Sequence, residues 1–297
     1  MLDRDLADLD FEQAADAFRR LGDPTRVAIL AALAVAERRD DPELTFAELR
    51  QQAGVDDSGR FNYHLNELQP HFVQSTEEGY RIRYAGREAY GLIKAGAAPE
   101  EIIERHGQVD QPCPVCGGAL ECRYEGDRLV LDCENHETIA NIPIPPTTAR
   151  DRPLQELVKV AEAAAEQDLL MADYEICDAC WGPVTGSIET PPQDLEIPDA
   201  LLAIRYVCEH CDQHLTVPVS LIISSHPAVA GFLYDHGIDL SQYGLLDRFN
   251  RLHVAEEHFE ADSGWIAFEA DGDFLLVEFD ATGGITDVSQ PAEIPAA

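Results

Sequence analysis

Eight cysteines stand in this chain of 297 residues, and none precedes Cys113. Seven of them, joined by one histidine, fall into two ordered sets. The first is Cys113-x2-Cys116-x16-Cys133-x2-His136; the second is Cys177-x2-Cys180-x27-Cys208-x2-Cys211. Thiolate and neutral imidazole suit Zn2+, and a Cys-x2-Cys turn presents two donors from one backbone knuckle. Two knuckles at the ends of a β-hairpin complete the tetrahedral shell that Zn2+ prefers. Each set therefore predicts one structural zinc site, with Gly117, Gly118 and Gly182 placed where a knuckle needs a tight turn. The first set closes on His136 rather than a cysteine and is the one expected to have lost its metal if either has. Disulfides and a redox Cys-x-x-Cys are the competing readings; a reducing compartment disfavours the former. Cys122 is left over and reads as a small buried hydrophobe.

Both sets already hold four ligands, so no coordination position stays open for water or substrate. Pro112-Cys113-x-x-Cys116 matches half of a zinc deaminase signature, but the partner His-x-Glu is missing; His106-Gly107-Gln108 has no acid. His253-x4-His258 has neither metalloprotease spacing. With no phosphate-binding glycine loop and no Gly-x-Ser-x-Gly, an enzyme is not expected.

The formal charge is −35, and the only lysines are Lys94 and Lys159. A carboxylate-dense surface with so little lysine reads as adaptation to very high salt, where self-repulsion is screened over about 3 Å. An acidic disordered tail is the plainer alternative, but the acids are spread through apolar-periodic sequence. Residues 1–110 carry a net −9 and residues 111–297 a net −26, so a nucleic-acid surface is expected in the first third. No apolar run reaches the length of a membrane span, and the acidic MLDRDLADLD start lacks the apolar core of a signal peptide. The expectation is a cytoplasmic protein with no membrane association.

The elements follow from periodicity. Phe11, Ala14, Ala15, Phe18 and Leu21 are spaced as on a helix over 10–21. Asp23-Pro24 caps a second helix from Thr25 to Glu37. Thr45 and Glu48 form a capping box for a third, Gly54 turns the chain, and a fourth helix runs from Asp57 to Gln69. Two short helices joined by such a turn make a helix-turn-helix. Phe72–Ser75 and Tyr80–Tyr84 around Gly79 predict a hairpin, the wing. Helix follows from Arg87 to Lys94, and residues 99–106 continue or restart it. Beyond 110 come a β-rich segment to about 146, a helix over 153–171, a second cysteine-bearing β segment over 174–219, a helix over 226–236, and a small meander built from 265–268, 274–279 and 285–288. The fold class is α+β, in three parts: 1–108, 109–150 and 151–297.

Phe61, Leu65 and Leu68 set the inward face of the fourth helix. The opposite face then holds Gly59, Tyr63 and Asn66, flanked by Arg60 and Asn62, with Ser58 at the helix start. Arginine pairs bidentately with guanine and asparagine with adenine, and a helix N-terminus suits a phosphate. Arg81 and Arg83 share one face of the second wing strand, with Tyr80, Ile82 and Tyr84 turned inward. A compact helical domain with a solvated polar face is the bland reading of the same pattern.

The run LGDPTRVAILAAL, then TFAELRQQAGVDDSGRFNYHLNELQPHFV, then GYRIRYAGREAY resembles ArsR-like winged-helix transcriptional regulators over residues 10–96, above all the haloarchaeal type with a C-terminal zinc-ribbon region. The resemblance implies that the helix containing Asn62-Tyr63-His64-Leu65 reads a double-stranded DNA operator. It also implies a homodimer formed by the flanking helices, here 10–21 and 87–106. Metal-sensing members carry cysteines inside the winged module; this chain has none there, so metal sensing at that place is excluded. His64, beside the apolar stripe, reads as a packed or phosphate-binding histidine. The rivals are a zinc-ribbon adaptor of the transcription machinery and a metal-responsive regulator with the ribbons as sensors.

Overall fold

The computed structural model describes residues 10–38, 42–69, 71–96, 102–189 and 202–295. The architecture is mixed α+β, in two units, 1–101 and 102–297, each with its own core.

In the first unit α1 (Phe11–Arg19) is followed by α2 (Pro24–Ala36), α3 (Phe46–Gln52) and α4 (Ser58–Leu68). Local chemistry sets their ends. The Asp23 carboxylate accepts the Thr25 and Arg26 N–H groups at the start of α2, where Pro24 has none to offer. Thr45 and Glu48 form the reciprocal capping box of α3. The α3–α4 turn is pinned by Gly54 at φ +69° and by the Arg50 guanidinium, which donates to the carbonyls of Val55 and Asp56. Asp57 then caps α4 through the Arg60 N–H at 2.6 Å. Ile29, Leu30 and Leu33 of α2 meet Leu49, Phe61, Leu65 and Leu68 in a core from which water is excluded.

Strands β1 (Val73–Ser75) and β2 (Tyr80–Ile82) form an antiparallel hairpin, and Leu44 extends it by pairing with Tyr80. Gly79 permits that approach: a Cβ there would stand 2.3 Å from the Leu44 carbonyl oxygen. The hairpin is shorter than the expected Tyr80–Tyr84 strand. The Arg83 N–H is captured by the Phe72 carbonyl, and α5 (Tyr84–Ala95) starts at once. Arg83 is therefore the flank of a helix rather than a wing residue, and Tyr84 is exposed rather than packed inward.

In the second unit, four strands form an antiparallel meander: β3 (Arg105–Pro112), β4 (Ala119–Glu125), β5 (Arg128–Cys133) and β6 (Glu137–Pro143). The expected helix over 99–106 is corrected here. Residues 102–104 have no regular structure, Arg105 opens β3, and 97–101 lie outside the described residues. Burial alternates along β3, and its polar, glycine-containing run offers no helical stripe. After α6 (Pro146–Asp151), α7 (Leu154–Asp173) packs Leu157, Val158 and Ala161 against this sheet.

A second antiparallel sheet follows: β7 (Val184–Glu189), β8 (Ala203–Cys208) and β9 (His214–Pro218). Next come α8 (Val219–Ile223), α9 (Pro227–Asp235) and α10 (Leu245–Arg251), then a four-stranded meander of β10 (Val254–Glu260), β11 (Ser263–Ala270), β12 (Asp273–Asp280) and β13 (Ile285–Ser289). Ile266, Phe268, Val277 and Phe279 of the meander share one core with Ile204, Tyr206 and Phe232. Among the described residues, no helix is long and apolar enough to cross a membrane.

Candidate metal centres and nucleic-acid face

Both cysteine sets converge. Within each, the four ligand atoms lie within 4.8 Å of one another. Cys113 and Cys116 sit on the β3–β4 connection; Cys133 ends β5 and His136 follows in the next turn. Cys177 and Cys180 precede β7; Cys208 ends β8 and Cys211 follows. Each cluster is thus a knuckle, a two-stranded hairpin and a second knuckle, as the spacing predicts.

The distances discriminate among the chemistries. The Sγ atoms of Cys116 and Cys133 are 3.7 Å apart, and His136 Nδ1 is 3.7 Å from both Cys113 and Cys133. In the second cluster Cys177–Cys211 is 3.7 Å and Cys180–Cys208 is 3.5 Å. A tetrahedron with metal–sulfur bonds of about 2.3 Å has edges of about 3.8 Å. A disulfide needs about 2.05 Å, and all eight cysteines are free thiols. The residues present therefore fit two four-coordinate metal ions.

Backbone amides support the sulfurs. Val115, Gly118 and His210 donate N–H groups to Cys113, Cys116 and Cys208. Asn135, which the sequence reading passed over, donates its side-chain amide to Cys116 at 3.5 Å. Those donors hold the Cys116 thiol down at about 6, Asn135 first and Gly118 second. Cys122 behaves oppositely: burial on β4, with a contribution from Asp132, pushes its thiol up to about 11, as suits a packed hydrophobe.

A tight turn follows the second cysteine of three knuckles. Gly117, Trp181 and Asp212 occupy this equivalent position with φ of +72°, +62° and +56°. The sequence pointed to Gly182 for the second knuckle, but Trp181 carries the left-handed conformation. Gly182 is needed instead for closeness, since a Cβ there would meet the His210 ring at 2.7 Å. Trp181 itself is 65% exposed.

In the first unit, α4 turns Phe61, Leu65 and Leu68 into the core and leaves Ser58, Gly59, Arg60, Asn62, Tyr63 and Asn66 exposed. The six share one solvent-facing side of a capped helix. The Arg60 guanidinium donates to Thr25 Oγ1 at 3.3 Å. Arg81 lies on the hairpin and donates Nε to Gln74 across the strand pair at 3.0 Å, while Arg83 is displaced to the start of α5. His64 is buried, its Nδ1 3.5 Å from the Asp23 carboxylate. His253 and His258 flank and lie within an extended strand and face Glu269 and Trp265, so they do not converge.

A family model described as a domain of unknown function, DUF7347, matches residues 14–93, the span of the N-terminal helices and hairpin. A second, also described as a domain of unknown function, DUF7351, matches residues 110–285. No curated protein and no solved structure matches the chain. The second match covers more than half of the chain and takes in both ligand clusters. The chain belongs to the DUF7351 family.

Proposed function

We propose that the protein is a DNA-binding transcriptional regulator, with an ArsR-like winged helix-turn-helix in residues 10–96 and structural zinc ribbons in the C-terminal unit. The observation that carries the reading is the exposed face of α4. Six residues suited to backbone or base contact stand on one side of a helix whose other side is locked into a core. The turn before it is pinned at both ends by side chains. In this reading α4 enters the major groove. Asn62 and Asn66 address adenine edges, Arg60 leaves Thr25 for a guanine, and Gly59 lets the helix backbone approach. Ser58 and the helix N-terminus meet a phosphate, and Arg81 on the hairpin meets another.

Zinc is the metal that suits two closed, thiolate-rich, four-coordinate shells. Its role is structural: it ties together the two knuckles at the end of each hairpin. A homodimer fits the apolar residues that α1 and α5 leave exposed, Phe11 and Phe18 on one and Leu92 and Ile93 on the other. Mapping the genomic sites occupied by the tagged protein, then measuring its affinity for a recovered site against a scrambled duplex, tests the proposal. Equal affinity for the two duplexes would favour an adaptor that uses the same module for protein contact.

A further inference from the structure

The two metal centres differ in how their exposed sulfurs are held. In the first, Cys113 and Cys133 are buried and Cys116 faces solvent. Its ligands are three thiolates and an imidazole, one anionic donor fewer than the four thiolates of the second centre. Asn135 stands in the second knuckle, between Cys133 and His136, yet its side-chain amide donates to Cys116 of the first knuckle at 3.5 Å. The Gly118 N–H donates to the same sulfur at 3.4 Å. Gly118 also leaves room for the contact: a Cβ there would stand 3.2 Å from Cys116 Sγ and 3.6 Å from Asn135 Nδ2.

A hydrogen bond to a metal-bound thiolate does two things. It draws charge from the sulfur, which weakens the attack of that sulfur on electrophiles. It also fixes the direction of the sulfur, so that the ligand stays aimed at the ion. An amide can do this and a carboxylate cannot, because a thiolate only accepts. Among the described residues, no side-chain amide donates to a sulfur of the second centre. Its exposed Cys180 and Cys211 draw on the backbone N–H groups of Gly182 and Gln213. The second centre is therefore an internal control for the first.

We propose that Asn135 is a positioning residue of the first metal centre: its amide holds the solvent-facing Cys116 thiolate on the ion and shields it from electrophiles. The inference rests on zinc occupancy of that centre and on no property of DNA binding. The zinc-loaded full chain is compared in molar KCl with Asn135→Leu and Asn135→Asp. Asn135 is exposed, so neither change disturbs a core. Both replacements match the side chain in size; leucine withdraws the donor, and aspartate sets a charge against the sulfur. With EDTA in excess, one of the two zinc ions should leave about tenfold faster in Asn135→Leu and faster still in Asn135→Asp, while the other keeps its wild-type rate. Iodoacetamide, from which the attacking sulfur displaces iodide, should alkylate Cys116 several-fold faster in both variants, read by peptide mass, with Cys180 and Cys211 unchanged. In the cobalt-loaded chain, Asn135→Leu should move the sulfur-to-cobalt charge-transfer absorption to lower energy, a change that loosened packing alone would not give. Wild-type rates at Cys116 in both variants, or equal acceleration at both centres, would overturn the role of Asn135, and two bound zinc ions would still uphold the metal assignment. A wild-type chain with no zinc at the first centre would defeat that assignment and the proposal with it.

Discussion

The Sγ atoms of Cys180 and Cys208 stand 3.5 Å apart although 27 residues separate them in the chain. Neither sulfur bonds to the other, and each is paired with a second cysteine of its own knuckle in a four-ligand cluster. A shared cation makes such proximity of four thiolates favourable. Elemental analysis of the purified protein should therefore return two zinc ions per chain. Cys180→Ser should lower this to one and remove amide-exchange protection from β7–β9, while β3–β6 keep theirs. Cys133→Ser should do the reverse. Trp181 fluorescence is a poor reporter of either, because the indole is already exposed with the knuckle intact. A folded protein without zinc, never exposed to chelator, would defeat the metal assignment.

Gly117 and Trp181 hold the same left-handed turn with opposite economies. A Cβ added at Gly117 would meet nothing within 4 Å, so Gly117→Ala should cost about 1 kcal/mol for backbone conformation alone. Trp181→Gly removes a β-carbon from that conformation and sacrifices little packing. It should hold or raise the melting temperature, by up to about 1 kcal/mol of stability. Thermal denaturation of both variants, with zinc counted in each, gives the comparison. A marked loss in Trp181→Gly would mean that the indole packs on something its exposure does not suggest.

Glu257 on β10 makes stability depend on pH. Burial pushes its carboxyl up from 4.5 to about 7, although the Leu202 N–H donates to Oε1 and works the other way. Oε2 is buried and has no hydrogen-bond partner among the described residues. Below about pH 4.5 both folded and unfolded chains hold this proton. Between there and about pH 7 only the folded chain does, so stability falls as pH rises through that window and is level above it. Glu257→Gln should flatten this slope and stabilise the protein at pH 8 by about 1–2 kcal/mol, with solvent screening allowed for. Parallel melting curves at pH 5.5 and pH 8 decide it; equal gains at both values would point to packing rather than ionisation.

What the sequence showed most clearly was chemistry that acts over a few residues. The Asp23 cap, the Thr45–Glu48 box, the Gly54 turn and both ligand sets are local patterns with local causes, and all appear in the structure. What it hid depends on residues far apart. The second hairpin strand stops at Ile82 because the carbonyl of Phe72, eleven residues earlier, takes the Arg83 N–H. Strand β10 went unread because its Val-Ala-Glu-Glu-His-Phe-Glu run exposes most of its acids and shows no clean alternation. The knuckle strain at Trp181 is invisible beside Gly182, the residue that composition favours.

The exposed aromatic rings of α1 bear on assembly. Phe18 is 70% exposed on a helix none of whose residues is buried within the chain. Covering such a face is worth about 1.5–3 kcal/mol per large side chain. Sedimentation in molar KCl should show a dimer at micromolar concentration, and Phe18→Asp should shift it toward monomer without loss of zinc. A wild-type monomer would remove the dimer from the account.

The regulator reading stands or falls on α4. Fluorescence anisotropy in molar KCl, with a recovered genomic site and a scrambled duplex of equal length, measures it directly. Wild type should prefer its site, and Asn62→Ala or Arg60→Ala should lose about 1–3 kcal/mol of that preference. Arg81→Ala should weaken both duplexes about equally. Wild-type discrimination retained in both α4 variants, or no discrimination by the wild-type chain at all, would contradict the assignment.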